Sequence, residues 1–548
     1  MEADDVLIVG GGHNGLVAAA CLAGAGLRVR VLERRPLLGG ACVTEELWPG
    51  YRVSRAAYVA GLLRPVVIRE LELARFGLEL LPRKPSSFTP LPDGRSLLLG
   101  PDRRESCREI ARFSARDAER YPRYEALLGG MAEAVEALLD VTPPRLPVPR
   151  ARDLLPLYRA ARRALGLGRE LPRALALLLG PARPVLEAFF ESEPLRSTLA
   201  TDALIGAFAG PATPGTGYVL FHHVMGETGG SRGVWAYVRG GMGALSEAIA
   251  ASARSRGARI ETGVEVRRIR VEAGEARGVV LADGRELPAR VVVSSADPRR
   301  TFLGLVPAGE LPDDFVAEIR ALDFRSPCLK INLALDRCPA FPSRPGPVPG
   351  PHHRGTIHLG AAELDALDAS FAAALAGDLP ERPMVELTLP SVLDPGLAPR
   401  GHHVASLFVQ HVPWEPREGS WDALRDRFAD HVLALVDEVA PGFSESVVHR
   451  EVLAPPDLEQ IFGLSGGNIF HGAMTPDRLL SLRPVPGFSD YRTPLRGLYL
   501  CGAGTHPGGG VMGACGRNAA REILRDLRGR TRGRRGNAAP GADRPGAG

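Results

Sequence analysis

The chain begins with a short apolar run, Val6–Val9, that breaks into Gly10-Gly11-Gly12-His13-Asn14-Gly15 and resumes as the alanine-rich stretch Leu16–Ala25. Four apolar residues stopped by glycine predict a buried parallel strand, and the stretch behind them predicts a helix. A second mostly apolar run, Val29–Leu32, predicts another strand and ends in Glu33. From about Arg69 to Leu99 the pattern shortens around the turn Pro92-Asp93-Gly94, which predicts a hairpin. Residues 105–208 carry Ala, Leu, Arg and Glu at helical spacing, broken by proline clusters at 143–149 and 181–184, and read as a helical insertion. Gly240, Gly241 and Gly243 then precede a helix, with strand material from Ile260 to Val271 and at Val291–Val293. Further strands are predicted at 328–335, 384–389 and 404–409 and a helix at 421–439, while the proline- and glycine-rich segment 343–355 reads as a mobile surface loop. Near the end, Leu498–Cys501 predicts a strand running into a glycine turn, Gly502 to Gly513, that opens a last helix.

Composition narrows this picture without redrawing it. A chain of 548 residues, 45% hydrophobic and 24% charged, is long enough for two or more domains and excludes disorder of the whole. The net charge of +4 sits in residues 529–548, which carry five Arg and one Asp; the body is balanced, which argues against a nucleic-acid binder. That terminal segment reads as a disordered basic tail. No apolar run approaches the roughly 20 residues needed to span a bilayer. No signal peptide precedes the first strand, and the seven cysteines include no C-x-x-C pair, so free thiols in a reducing compartment, the cytoplasm, are expected.

Strand, glycine turn, helix, strand and acid together form a dinucleotide-binding unit. Gly10 permits the tight turn, Gly12 clears the approach to a pyrophosphate, and Gly15 lets the helix pack close to the strand. The helix start offers free N–H groups to the phosphates, and Glu33, placed soon after the turn, is positioned for ribose hydroxyls. Gly39 and Gly40 let the backbone run close to the same ligand. Only one full GxGxxG unit, with its strands, helix and acid, occurs, which predicts one tightly held dinucleotide, and the turn Gly502–Gly513 is placed to put a second helix N-terminus under its far end.

In Cys328–Asp336, Leu329, Ile331, Leu333 and Leu335 form one face of a strand, so Lys330 and Asn332 share the other. A buried lysine there would lose basicity and take part in proton handling; on an edge strand it would instead face solvent. His223, His471 and His506 are the candidate acid/base groups. His222 and His223, read as part of a strand, would point to opposite faces. His13 shapes the phosphate loop, and no spacing of His, Cys or carboxylates supports a metal.

The glycine unit with Glu33 and Gly39-Gly40, the GGMGAL at 240–245 and the C-terminal GLYLCGAGTHPGGGVMGACGRNAAREIL resemble FAD-dependent oxidoreductases of the phytoene desaturase/amine oxidase superfamily. The run SGGNIFHGAMTPDRLLSLRPVPG at 465–487 is similar to the branch called pyridine nucleotide-disulfide oxidoreductase domain-containing protein 2. The resemblance covers nearly the whole chain except the tail. It implies an α/β fold: a Rossmann-like FAD-binding domain in three pieces (1–72, 238–300, 485–528) with an inserted mixed α+β substrate domain (73–237, 301–484) and the tail at 529–548. Carried over, it assigns Gly10, Gly12, His13, Asn14, Gly15, Glu33, Arg34, Gly39, Gly40, Ala41 and Val266 to the nucleotide end and Gly502, Gly504, Met512 and Gly513 to the flavin end. It also implies that Lys330 corresponds to a lysine near the reactive flavin nitrogen of amine oxidases. A disulfide reductase would need a cysteine pair where Cys42 stands alone. Covalent members attach flavin through a cysteine in the region matching Gly466-Gly467-Asn468, which has none, so FAD is expected to be non-covalent.

Two functions follow. One is an FAD oxidoreductase that removes a hydride from an apolar or amphipathic small molecule, with oxygen, a quinone or another acceptor reoxidising the flavin. The other is a flavin-binding regulatory or interaction protein with little turnover and a protein partner of unknown identity. Membrane contact is expected to be peripheral at most, since no strongly amphipathic basic helix stands out.

Overall fold

A computed structural model of the chain describes residues 4–145, 151–228, 231–360 and 362–536. The strand Asp4–Val9 lies at the middle of a seven-stranded sheet. It pairs in parallel with Val29–Glu33 on one side and Glu286–Ser294 on the other. Arg259–Thr262 extends the sheet beyond Val29–Glu33, and Leu498–Leu500 joins Glu286–Ser294 from the far end of the chain. Val266–Glu272 and Glu275–Leu281 complete it in antiparallel pairing.

Alternation along the central strands explains why both faces are covered. Val6, Ile8, Val29, Val31, Val291 and Val293 pack under the helices His13–Ala23, Met242–Ser255 and Ala514–Gly536. Leu7, Val9, Leu32 and Val292 face a second layer around Phe302, Phe315 and Phe324.

The second sheet has seven strands, in the order Val447–Leu453, Cys328–Leu335, His403–Gln410, Met384–Thr388, Thr356–Leu359, Ser87–Pro90 and Ser96–Leu99. Its apolar face, with Leu329, Ile331, Leu333, Leu387, Leu407 and Val409, rests on the helix Trp421–Asp437. Its other face turns toward the first sheet. Between residues 103 and 224 lie the helices of the insertion, including Arg103–Ala111, capped by the Asp102 carboxylate, and Ala115–Leu139, capped by Ser114 Oγ.

Four expectations are corrected here. His222 and His223 lie on the helix Thr216–Val224, not on a strand, so they are neighbours around a helix instead of opposite one another. The β-prone run Tyr218–Phe221 is helical because the whole segment is buried, with Gly217 pressed so close that a Cβ there would meet Leu177 O at 1.9 Å. The segment 343–355 is exposed at 345–349, as a surface loop should be, but its end is pinned: His352 and His353 are buried, and His353 Nε2 donates to Pro339 O at 2.7 Å. The last helix runs from Ala514 to Gly536, past the expected start of the disordered tail at 529. Residues 537–548 lie outside the described residues, as do 146–149 of the first proline cluster. Finally, the helix Ala151–Leu165 exposes Leu154, Leu155, Tyr158 and Leu165 beside Arg159, Arg162 and Arg163, so an amphipathic basic helix does exist. Pro156 stands inside it and interrupts its apolar spacing. Among the described residues no helix is long and apolar enough to cross a membrane.

Candidate functional site

A cavity of about 1300 Å³ runs between the two sheets. Its volume exceeds the several hundred Å³ typical of a site for one small ligand, as a dinucleotide together with a substrate requires.

One arm is walled by the N-terminal unit. Gly10, Gly12, His13, Asn14, Glu33, Arg34, Gly39, Gly40, Ala41 and Val266 all line it. Gly12 is the N-cap of the first helix, in extended conformation and with no side-chain cap, so the first-turn N–H groups point to the cavity uncommitted to any cap. A Cβ at Gly12 would meet nothing closer than Ser295 Oγ at 3.6 Å, so the protein itself does not need glycine there; a ligand passing over it would. Gly39 adopts φ +113° and accepts no Cβ, which would lie 2.1 Å from Cys42 O. The Glu33 carboxylate is fixed by two backbone donors, Gly11 N at 2.7 Å and Arg35 N at 2.9 Å, leaving lone pairs free for hydroxyls. Arg34 donates to the carbonyls of Gln460 and Ile461, 2.9 and 2.8 Å away. An uncapped helix start, a glycine with unclaimed space above it and a fixed carboxylate fit a dinucleotide.

At the other end of the same arm, Gly502 lines the cavity, with Ala503, Gly510 and Val511. Gly504, Met512 and Gly513 do not. Gly504 makes room for Pro298, Gly513 packs against Val67 and Val17, and the Met512 side chain lies in the core of the helical insertion. Gly15 is likewise a packing position, where a Cβ would stand 2.4 Å from Gly10 O.

The second arm is walled by the polar face of the second sheet. Strand register sets four side chains in a row across it: Lys330 opposite Phe408, Phe408 opposite Glu386, and Glu386 opposite His358. All four line the cavity. Lys330 does not lie on an edge. It sits on an inner strand, 2% exposed, with Nζ 3.9 Å above the Tyr58 ring and no hydrogen-bond partner. Burial lowers its pKa well below the usual lysine value, against the opposing pull of Glu386 and Glu451. Glu386 is held by the Tyr58 hydroxyl at 2.7 Å, and burial raises its pKa. Burial also lifts Asp202 to about 6 and holds His358 down to about 3. Tyr58, Arg83, Asp202, His358 and Glu386 are the site residues that the sequence reading missed. Glu386 carried the same signal as Lys330, a charge alternating with Val385 and Leu387; Tyr58 and Arg83 lie in stretches without periodicity.

The histidines separate. His471 and His223 line the cavity, whereas His506 does not. His471 adopts φ +58° with its Nδ1 unpartnered, and His13 is held down to about 4 by burial and then by His471 nearby. His223 donates from Nδ1 to Val219 O at 2.9 Å and stacks on Trp235; His222, also lining the cavity, has both ring nitrogens unpartnered. His506 is turned away, donating from Nε2 to Leu138 O at 2.8 Å while its carbonyl accepts the Tyr491 hydroxyl, so it fastens the flavin-end turn to the helical insertion. His506→Phe should therefore cost about 1–3 kcal/mol of stability through a stranded buried carbonyl, with FAD content and visible spectrum unchanged. A shifted flavin spectrum would put His506 back at the ligand.

All seven cysteines are free. Cys42 lines the cavity, but its thiol is pushed up to about 12 by burial and points to Met242 O, and no second cysteine pairs with it.

Residues 15–524 match the model of the family described as flavin containing amine oxidoreductase. The chain is 49% identical over 547 residues to the Rattus norvegicus pyridine nucleotide-disulfide oxidoreductase domain-containing protein 2, covering 96% of this chain and 94% of that one. It is 29% identical over 556 residues to the hydroxyneurosporene desaturase of Cereibacter sphaeroides, covering 96% and 99%. An oxidoreductase from Methanosarcina mazei shares the fold, with a TM-score of 0.60 at 17% identity over 95% of this chain and 99% of that one.

Proposed function

Since the chain belongs to the flavin-containing amine oxidoreductase family and is an FAD-dependent oxidoreductase with non-covalent cofactor, we propose that it withdraws a hydride from an apolar or amphipathic organic substrate, with oxygen, a quinone or another acceptor taking the electrons. The observation that carries this reading is the continuity of the cavity. One space joins the glycine turn to the row Lys330, Phe408, Glu386 and His358, with Leu62, Leu128, Ile205 and Leu220 along its walls. A regulatory flavoprotein could leave that face plugged.

Bound FAD supplies the acceptor for the hydride. The backbone N–H groups of the first helical turn would hold its pyrophosphate and Glu33 its ribose, in a cofactor domain drawn from 1–72, 238–300 and 485–528. Leu62, Ile205, Leu220 and Phe408 exclude water and orient the substrate. A substrate that loses a hydride also loses a proton, and a neutral Lys330 amine is suited to accept it, with Tyr58 and Glu386 fixing the wall around it. His223 and His471, both held neutral by burial, line the same space as donors and acceptors. Seven free thiols suit the cytoplasm.

The test is anaerobic bleaching of the flavin in the holoprotein against panels of amines, lipids, polyenes and NAD(P)H. Bleaching by one of the organic panels is the expected result. Bleaching by NAD(P)H alone would reverse the direction of electron flow, and bleaching by none would favour the regulatory alternative.

A further inference from the structure

Arg83 is buried, 5% exposed, in the wall of the second arm. Its Nη1 donates to Thr356 Oγ1 at 2.5 Å, its guanidinium lies 5.5 Å from the Tyr237 ring centre, and its Nε has no partner. Among the described residues it makes no salt bridge within 4.0 Å. An arginine stays charged in a protein, and a buried cation without a counter-ion is costly enough that such residues are normally paired. The space it faces is the cavity.

The same cavity is lined by further residues with buried polar atoms that make no hydrogen bond, Lys330 Nζ, His358 Nδ1 (3.9 Å from Glu386 Oε1) and Tyr124 OH. The acids facing this wall are Glu386 and Asp202. Glu386 accepts from the Tyr58 hydroxyl, and the charge of Arg83 opposes the burial that raises both carboxyls, Asp202 to about 6. Both offset the guanidinium only from beyond 4.0 Å, and neither forms a salt bridge with it. The cavity is therefore apolar along Leu128, Ile205 and Leu220 and ends at a fixed positive charge with one unused N–H and neighbouring donors.

We propose that Arg83 forms a carboxylate-binding subsite, so that the molecule this cavity takes is an amphipathic monocarboxylate whose acid group pairs with the guanidinium while its apolar part lies along the leucine wall. This rests on the oxidoreductase reading only in treating the bound molecule as substrate. A single carboxylate fits better than a phosphate, since a dianion would be set beside two carboxyl groups with one fixed cation to offset it. An ammonium group would be repelled by Arg83.

The test is calorimetric titration of the oxidised holoprotein with decanoate, decanol, decylamine and decyl phosphate. Decanoate is expected to bind at least about tenfold tighter than the other three, the discrimination a buried charge-assisted hydrogen bond commonly provides. Arg83→Gln should reduce decanoate to the level of decanol with FAD content unchanged, and Arg83→Lys should keep part of the preference. Tighter binding of decylamine or decyl phosphate, or decanoate affinity unmoved by Arg83→Gln, would overturn the subsite. If Arg83→Gln yields no soluble flavoprotein, the head-group ranking on the wild type and the partial loss in Arg83→Lys decide the matter. Because binding is read without turnover, the two proposals fail separately. Decanoate bound through Arg83 in a protein whose flavin nothing bleaches keeps the subsite and removes the substrate. Bleaching by an uncharged polyene with no decanoate binding does the opposite.

Discussion

Gly15→Val is expected to leave the purified protein with less than about a tenth of its FAD. A Cβ at this position would stand 2.4 Å from Gly10 O and 3.2 Å from Ser295 Cβ, the first of them backbone. The helix His13–Ala23 can accept valine only by moving off the strand Asp4–Val9, and its first-turn N–H groups move with it. Overpacking of this kind costs about 1–3 kcal/mol, and each 1.4 kcal/mol lost from binding is about tenfold in affinity. The check is the ratio of flavin absorbance to protein, with thermal unfolding of the apoprotein alongside. Gly12→Ala is the informative partner, because its methyl group has room in the protein. It should lower FAD affinity with little change in apoprotein stability. Full FAD occupancy in Gly12→Ala would remove the pyrophosphate from above this glycine.

Lys330→Met should separate rate from stability, lowering one and raising the other. With the amine gone, the slower of flavin reduction and reoxidation is expected to fall by about 10²-fold, the usual worth of a positioned proton acceptor. Stability at neutral pH should rise by about 1–3 kcal/mol, since methionine fills the same volume without a buried, unpartnered polar atom. The pH dependence has a definite sign. Burial holds the folded-state pKa of Lys330 well below its ordinary 10.5. Between those two values the unfolded chain binds a proton that the folded chain does not, so wild-type stability climbs with pH across that window. Lys330→Met loses that slope. Unchanged rates would take the lysine out of the chemistry, and a loss of stability would mean that it is charged and paired in the folded protein.

What the sequence made readable was local. The first strand, glycine turn, helix and Glu33 follow one another within about thirty residues, so each part constrains the next. Lys330 was readable as to face but not as to depth. Its alternation with Leu329 and Ile331 says which way it points, whereas its burial depends on strands supplied by residues 403–410 and 447–453. Glu386 obeyed the same alternation, and only the register across Phe408 reveals that it shares a wall with Lys330. His506 shows the reverse failure. It stands in the flavin-end turn and looked chemical, yet the helix Ala115–Leu139, nearly 370 residues earlier, provides the carbonyl that turns it away. Arg83 had no local signal at all, because an unpaired cation is recognisable only when everything around it is in place.

The last helix has a consequence for the order of events during synthesis. It lies directly on the first helix: a Cβ on Gly516 would meet Asn14 O at 2.1 Å, and the Gly516 amide reaches Asn14 Oδ1. Leu498–Leu500, just before it, supplies the parallel partner that Glu286–Ser294 otherwise lacks on that side. At about 5–20 residues per second, the ribosome adds the roughly 500 residues separating these contacts in about 25–100 s. Throughout that interval the glycine turn is already made but has no cover on one flank. The flank of the cofactor cleft is covered only once residues 498–516 have been made, so a product cut short upstream of residue 498 carries the motif without that cover.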